Sequence, residues 1–311
     1  MQRTLFLSRE TRPAGRPRRR RPAPGRPRFL AVLGAVVAGA ALLTAALLLL
    51  LGGAGSTGGA TGTGTATGGS TTSARDVDQV VGQLVSVFEN GTPEIQYAYV
   101  EDLDDGRGYT AGRAGFCTAC GDLLTVVDRY TAQVPDNALA GYVPTLTGLA
   151  ASFGDSTADL DGFEEAWRSA ADDPVFRQVQ DQVTDELYVA PARELAEANG
   201  VRSALGLAAL VDTAVQHGTQ DGPDGLPDLV RRTNADMGGS PADDVDETEW
   251  LRDFLDIRRT VLENPSSSAT SEVWSESVGR VDALDALLAA GNLDLATPFT
   301  VDPWGDPQTI G

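Results

Sequence analysis

Two consecutive segments near the N-terminus confine any globular fold to the rest of the chain. Residues 29–51 form an apolar run without a charge, and residues 52–74 contain only Gly, Ala, Ser and Thr. A helix formed by the apolar run would reach roughly 34 Å, which is enough to cross a bilayer. The second stretch lacks the side chains that a core requires and behaves as a flexible linker. A folded domain must therefore be built from residues 75–311.

The residues that precede the apolar run indicate export. Residues 1–28 contain ten Arg and one acidic residue, and positive charge before an apolar segment keeps that end in the cytoplasm. Two interpretations stay open for residues 1–51, namely a cleavable signal peptide and a retained signal anchor. Cleavage after the small residues 52–54 is the interpretation that we favour. In either case the sequence predicts a folded domain outside the cell.

The charge of the folded part excludes binding to nucleic acid by general charge attraction. The whole chain has 24 basic and 44 acidic residues, for a net charge of −20, and every basic residue is Arg. From Arg75 onward there are 14 Arg against 43 acidic residues, a net charge of −29. Neutralising phosphates requires clustered cations, whereas a strongly negative domain attracts positively charged ligands. We therefore expect a cationic partner.

Apolar periodicity predicts an α+β domain that is mostly helical, with one short β-hairpin near its start. Residues 77–88 carry the i, i+3, i+4, i+7 stripe of an amphipathic helix, with Asp76 as a predicted N-cap and Gly91 beyond the C-terminal end. Residues 95–100 and 109–116 are predicted to form two strands joined by a turn at 103–108. Further helices are predicted at 122–133, 137–150, 174–199, 201–217, 247–262 and 278–290.

Two carboxylates bracket the first predicted strand. Glu89 lies in the last turn of the first helix, where apolar neighbours and the helix dipole both disfavour its anion. A carboxyl group that stays protonated near neutral pH can act as a general acid, although an ordinary surface Glu fits the same spacing. Asp105 lies in a turn near Arg107, which favours the ionised form that a base requires, and a solvated turn Asp is the alternative. The spacing around Gly106 does not fit a calcium-binding loop.

Three further features have structural explanations beside functional ones. Cys117 and Cys120 form a small disulfide, a redox centre or two buried thiols, and we expect a structural role. His217 is the only His, which excludes a His-rich metal site. A Gly/Pro-rich stretch is predicted to be a solvated acidic loop rather than a cation site, and its acidic residues are Asp221, Asp224 and Asp228. We expect no metal and no cofactor.

A series of short motifs carries a resemblance to a known family. The first three are Ser-Val-Phe-Glu-Asn at 86–90, Gln-Tyr-Ala-Tyr-Val-Glu-Asp at 96–102 and Asp-Gly-Arg-Gly-Tyr-Thr at 105–110. Further segments of the series follow at 115–122, 173–176, 212–218, 254–258 and 290–295. This series resembles the family 46 glycoside hydrolases, which are secreted chitosanases. The resemblance implies a lysozyme-like fold of two lobes with a substrate cleft between them, and it assigns residues 75–311 as the catalytic domain.

The resemblance also implies a mechanism and a set of site residues. It implies an inverting endo-hydrolase of the β-1,4 glucosamine linkages in chitosan, with Glu89 as general acid, Asp105 as general base and Thr110 positioning the attacking water. It implies that five more residues organise the site or contact the sugar, namely Arg107, Asp122, Tyr99, Glu101 and His217. The amines of chitosan are partly protonated below neutral pH, which suits a domain of net charge −29. A monomer is expected.

Two other functions remain open on the sequence. A lysozyme-like hydrolase of cell-wall glycan would use the same two carboxylates, but its acidic substrate would be repelled by the domain. A non-catalytic, tethered module that binds cationic polysaccharide would be expected to lack the acid or the base. Glu89, Asp105 and Thr110 are all present.

Overall fold

The computed structural model describes residues 74–104, 106–266 and 274–311. The predicted export segment and nearly all of the predicted linker lie outside this range, and so does Asp105. Within the described part of the chain, no helix combines the length and the apolar character needed to span a membrane.

The first helix, α1, spans Ala74–Asn90 and buries the predicted apolar stripe. Val81, Leu84 and Phe88 are each at most 3% exposed. Gly91 ends the helix in the left-handed conformation, with φ of 69°, and its amide donates to the Val87 carbonyl at 2.9 Å. This is the C-terminal cap that the sequence predicts. The helix begins two residues before the predicted N-cap.

A small antiparallel sheet of three strands follows α1. The strands are β1 (Val100–Asp102), β2 (Tyr109–Ala111) and β3 (Phe116–Cys117), in the order β1–β2–β3. Glu101 pairs with Thr110, and Thr110 pairs with Cys117. The predicted strands at 95–100 and 109–116 are therefore wrong in extent. Gly112 and Gly115 adopt positive φ and turn the chain, which divides the second predicted strand into two.

Helices make up most of the remaining chain. They are α2 (Asp122–Gln133), α3 (Val143–Ser152), α4 (Phe163–Ala170), α5 (Pro174–Thr184), α6 (Ala190–Ala198), α7 (Ala204–His217), α8 (Leu226–Met237), α9 (Glu247–Glu263) and α10 (Val278–Ala289). A π-helical segment, Asp185–Val189, joins α5 to α6, and short 3₁₀ turns lie at Ala140–Tyr142 and Pro241–Asp243. A second antiparallel pair, β4 (Phe299–Val301) and β5 (Gln308–Ile310), lies near the C-terminus.

Four elements were not predicted from the sequence. Helix α4 has only eight residues, β4 and β5 have three each, and α8 begins directly after a loop rich in Gly and Pro. Asp228 therefore does not belong to a solvated acidic loop. It lies in the first turn of α8, is 7% exposed and pairs with Arg231 and Arg232.

Helix α7 forms the centre of the fold. All residues from Leu205 to His217 are buried, as expected of a helix that other elements surround on every side. It contacts α1, α6, α8 and α10. The three-stranded sheet and helices α2–α5 pack together, and α8, α9 and α10 form another packed set. Arg258 of α9 and Arg280 of α10 reach α7 in its C-terminal half, where Asp212 is fully buried.

Candidate active site

Glu89 is a buried carboxyl group at the C-terminal end of α1. It is 4% exposed, and its Oε2 atom has no hydrogen-bond partner among the described residues. Burial raises the pKa of Glu89, because removal from water disfavours the anion, and the nearby negative charge of Asp212 acts in the same direction. Arg280 and, more weakly, Arg107 oppose the rise. A group with these properties can hold a proton and release it.

A chain of buried ion pairs leads from Glu89 to α9. The Arg280 guanidinium donates to Glu89 Oε1 at 2.5 Å and to Asp212 Oδ1 at 2.6 Å. Arg258 Nη2 lies 2.6 Å from Asp212 Oδ2 and donates to Gln216 Oε1 at 2.6 Å. Both Arg residues, Asp212 and Gln216 are 0% exposed. Four helices (α1, α7, α9 and α10) therefore meet at this chain of charges.

The two carboxylates in this chain have pKa values displaced in opposite directions. Burial would raise the pKa of Asp212 too, but Arg280 and Arg258 outweigh it and hold that pKa below its ordinary value. The arginines thus favour the anion of Asp212, whereas the pKa of Glu89 is raised. Environments that move the pKa values of two carboxyl groups apart in this way indicate which of the two carries a proton.

The three-stranded sheet carries further predicted site residues. Thr110 on β2 is 0% exposed, and its Oγ1 atom has no hydrogen-bond partner among the described residues. Glu101 lies opposite it on β1, is exposed, and accepts a hydrogen bond from the Tyr99 hydroxyl at 3.3 Å. The predicted base, Asp105, lies outside the described residues, between Asp104 and Gly106 in the β1–β2 connection.

Arg107 lies in the same connection and is partly exposed. Its charge lowers the pKa of Glu89, but less than Arg280 does. Its carbonyl accepts hydrogen bonds from the Ala119 amide at 3.1 Å and from the Thr118 hydroxyl at 2.8 Å. The segment between the two cysteines thus anchors Arg107, while Arg280 is the direct partner of Glu89.

Asp122 joins the sheet to the start of α2. One carboxylate oxygen accepts from the backbone amides of Cys117 at 2.7 Å and Leu123 at 2.8 Å. The other accepts weakly from the Tyr188 hydroxyl at 3.4 Å. Burial raises the pKa of Asp122 to about 6, against the two backbone hydrogen bonds. Cys117 and Cys120 form a disulfide, and one residue, Gly121, separates it from Asp122. This agrees with the structural role that we expected for the cysteines.

The same two cysteines and Asp122 bring one potential metal-ligand atom each within 4.8 Å of one another. Metal ions bind thiolates, and both sulfur atoms are bonded to each other here. The oxidised protein therefore offers only the Asp122 carboxylate, which already accepts two backbone hydrogen bonds.

His217 ends α7 and is 7% exposed. Its Nδ1 atom lies 3.0 Å from the Asp224 carbonyl oxygen, and since a carbonyl only accepts, this nitrogen carries the hydrogen. Burial, followed by the charge of Arg258, holds the pKa of His217 well below its ordinary value. The ring lies 4.6 Å from that of Trp274. His217 is thus a neutral group that holds the loop before α8.

A cavity of about 700 Å³ lies elsewhere, against the N-terminal half of α1 and residues 93–98. Tyr97 in its wall donates to Asp181 at 2.9 Å, and Arg113 pairs with the same carboxylate. Tyr97 and Arg113 are therefore already engaged by Asp181, and Glu89 is not part of the lining.

Sequence reasoning missed five residues around Glu89: Asp212, Gln216, Arg258, Arg280 and Tyr188. A signal existed for one of them. Asp212 interrupts the otherwise apolar run Leu-Gly-Leu-Ala-Ala-Leu-Val-Asp at 205–212, and a charge inside a buried helix requires an oppositely charged partner. Nothing in the sequence identifies that partner, because Arg280 lies 68 residues from Asp212 and 191 residues from Glu89.

Comparison with known proteins gives one consistent family. Residues 83–299 match the glycosyl hydrolase family 46 model. A chitosanase of Bacillus subtilis strain 168 is 49% identical over 227 residues, which cover 73% of this chain and 82% of that protein. A family 46 chitosanase of Gynuella sunshinyii in complex with chitotetraose superposes with a TM-score of 0.72 at 49% identity, covering 76% of this chain and 97% of that one.

A third similar structure contains a longer sugar. It is a glutamate-to-alanine mutant of a chitosanase from Bacillus subtilis MY002, complexed with six GlcN units. It is 48% identical to this chain, with a TM-score of 0.70, and the match covers 74% of this chain and 95% of that one.

Proposed function

The chain belongs to glycosyl hydrolase family 46, and we propose that it is an endo-acting chitosanase in which Glu89 is the general acid. The predicted fold is confirmed: the described residues are mostly helical, with small sheets, and share the lysozyme-like fold of this family. The protein is accordingly a glycoside hydrolase.

One observation carries the assignment of the acid. Glu89 is buried, its pKa is raised, and within the described parts of the chain only its Oε1 atom is engaged, by Arg280. The free oxygen is therefore available to protonate the glycosidic oxygen as the bond to the anomeric carbon breaks. Arg280 then stabilises the carboxylate that remains, since the guanidinium already contacts Glu89 Oε1.

The proposed base is Asp105. It takes a proton from a water molecule that attacks the anomeric carbon from the face opposite the leaving group, and the configuration inverts. Thr110 is the proposed second ligand of this water. Its hydroxyl is buried and has no hydrogen-bond partner among the described residues, so a water molecule could satisfy it. Arg107, two residues after the base, is proposed to favour its ionised form.

Chitosan is the proposed substrate because the relatives of this chain are chitosanases and because the charge suits it. The domain from Arg75 onward has a net charge of −29, which attracts a polymer that carries ammonium groups. Asp122 and Glu101 are proposed to pair with glucosamine ammonium groups near the cleaved bond, and Tyr99 is proposed to contact the sugar. His217, as a neutral group, is proposed to line the cleft. Residues 1–51 are proposed to direct export, and the enzyme is proposed to act as a monomer.

The test compares substrates and one pair of matched variants. Wild-type protein should release reducing ends from chitosan, and little or none from chitin or peptidoglycan. Glu89→Gln should fold and bind chitosan but lose a factor of about 10² to 10⁴ in turnover, because an amide cannot supply the proton. Glu263→Gln places the same change at the exposed end of α9 and should leave turnover unchanged.

Each alternative function has its own outcome in this test. Preferred release from peptidoglycan would assign the protein to cell-wall glycan. Chitosan binding without any release by the wild type would indicate a binding module. Normal turnover by folded Glu89→Gln would remove Glu89 from the role of acid.

A further inference from the structure

Phe153 combines two unfavourable features in one residue. It is 57% exposed, the more exposed of the two large hydrophobic side chains that stand out among the described residues. It also caps the C-terminal end of α3 in the left-handed conformation, with φ of 53°. That position normally holds Gly or Asn, and positive φ is strained for a bulky side chain. Strain of this kind concentrates at functional sites.

The segment around Phe153 packs against two parts of the candidate active site. On one side, the Ala150 Cβ atom lies 3.5 Å from where a Cβ of Gly121 would be, and Gly121 directly precedes Asp122. On the other side, the Asp155 carbonyl oxygen lies 3.0 Å from where a Cβ of Gly108 would be. Gly108 directly follows Arg107. Phe153 therefore lies on a short bridge between the residues that flank Arg107 and Asp122.

This bridge is held in place by hydrogen bonds of its own. The Gly154 amide donates to the Leu149 carbonyl at 2.8 Å, and the Ser152 hydroxyl donates to the Gly148 carbonyl at 2.8 Å. Thr157 Oγ1 lies 3.4 Å from a carboxylate oxygen of Asp102 on β1. The exposed ring is thus presented from a fixed backbone.

The stretch of chain that carries the ring has no basic residue. Residues 130–167 contain no Arg, Lys or His. Asp155 is exposed two residues after the ring. An exposed aromatic ring with an exposed carboxylate two residues away, that of Asp155, suits a ligand with an apolar face and a positive charge.

We propose that Phe153 is a stacking platform for a glucosamine ring of chitosan, at a distance along the cleft from the sugars that flank Glu89. This inference rests on the proposed function, since chitosan supplies the ligand. The axial C–H face of the sugar would cover the aromatic ring, and the ammonium group would lie near the ring face or near Asp155. The site would thereby favour long chains over short ones.

The experiment measures binding of glucosamine oligomers to inactive Glu89→Gln protein with and without the ring. Phe153→Gly removes the ring and relieves the positive φ, so the protein should be at least as stable as its parent. Its affinity for the glucosamine hexamer should fall about three- to tenfold, the size expected of one aromatic or cation–π contact. Affinity for the trimer should stay the same. Phe153→Trp should bind the hexamer as the parent does.

Asp244→Gly is the matched control. Asp244 is exposed and also has positive φ, at 67°, so the substitution makes the same backbone change in the α8–α9 connection. Hexamer affinity should not change. Phe153→Asn repeats the test with a second residue that tolerates positive φ.

Two results overturn the proposal. One is unchanged hexamer affinity in folded Phe153→Gly, which would assign the ring to another partner. The other is an equal loss for trimer and hexamer, which would indicate a general disturbance of the site. Neither result affects the proposed function, which depends on release of reducing ends by the wild type and on its loss in Glu89→Gln.

Discussion

Glu89 shows how one residue can be tuned by opposing influences. Burial and Asp212 raise its pKa, and Arg280 limits the rise while fixing one oxygen. The direction agrees with the prediction from the apolar stripe of α1. The Arg280 contact could not be predicted, because it joins residues 191 positions apart.

The raised pKa of Glu89 predicts a particular dependence of stability on pH. Above the ordinary pKa, an unfolded Glu89 loses its proton more readily than the folded one, so the wild type loses stability as pH rises. Gln cannot ionise, and it can still accept a hydrogen bond from Arg280. The melting temperature of Glu89→Gln relative to wild type should therefore increase from pH 4 to pH 8, as measured by thermal unfolding. A difference that is constant across this range, or that shrinks, would contradict the raised pKa.

The role proposed for Asp105 predicts the configuration of the first product. If Asp105 activates water rather than attacking the sugar, the new reducing end forms as the α anomer. NMR of the earliest product from chitosan distinguishes the two cases before mutarotation. A β anomer would instead require a covalent intermediate and a different role for Asp105.

At the scale of elements, sequence patterns predicted the long helices and failed at short or irregular ones. Helix α2 has the predicted bounds, and α9 and α10 differ from theirs by one residue. The first strand was predicted too early because the aromatic residues Tyr97 and Tyr99 suggested a strand at 95–100. This stretch instead forms a turn before β1. Helix α8 was missed because the Gly and Pro residues before it resemble a continuing loop.

The Cys117–Cys120 disulfide connects β3 to the approach of α2 and so supports Asp122. A cross-link that closes so short a loop stabilises a protein by about 2 kcal/mol in the chain-entropy model. Cys120→Ser should lose about this much and raise KM for chitosan, because the Cys117 amide that holds Asp122 becomes less fixed. Unfolding in urea and initial rates measure the two effects.

Reductant provides the control for this prediction. It should lower the stability of the wild type towards that of Cys120→Ser and leave the variant unaffected. Wild-type stability that does not respond to reductant would show that the disulfide contributes nothing.

At the scale of the whole molecule, the net charge of −29 after residue 74 should act on chitosan binding in two ways, through long-range attraction and through charge pairs close to the cleaved bond. Long-range attraction is screened over about 8 Å at physiological ionic strength, so chitosan binding should weaken as salt is added. Partly buried charges near the cleaved bond keep their effect, whereas exposed distant ones contribute little. The location of a carboxylate should therefore matter more than the total count.

Two variants distinguish the local effect of a carboxylate from the effect of total charge. Asp122→Asn preserves the shape that accepts the Cys117 and Leu123 amides but removes the charge, and it should lower kcat/KM at moderate salt. The double variant Asp244→Asn, Glu263→Gln removes two exposed charges and should behave like wild type. Equal losses in both proteins would mean that only the total charge matters, and an unaffected Asp122→Asn would exclude this residue from sugar binding.

The buried ion-pair chain also has a consequence for the order in which the enzyme becomes active during its synthesis. Glu89 emerges from the ribosome early, but its partner Arg280 belongs to α10, the last helix of the described chain. Asp212 and Arg258 follow Glu89 by more than 100 residues. Until α10 docks, Glu89 lacks the guanidinium of Arg280, so we expect a nascent chain, or one truncated before α10, to be inactive on chitosan. We therefore expect hydrolytic activity to begin only when the C-terminal helices have been made and packed, which would couple completion of the chain to the start of catalysis.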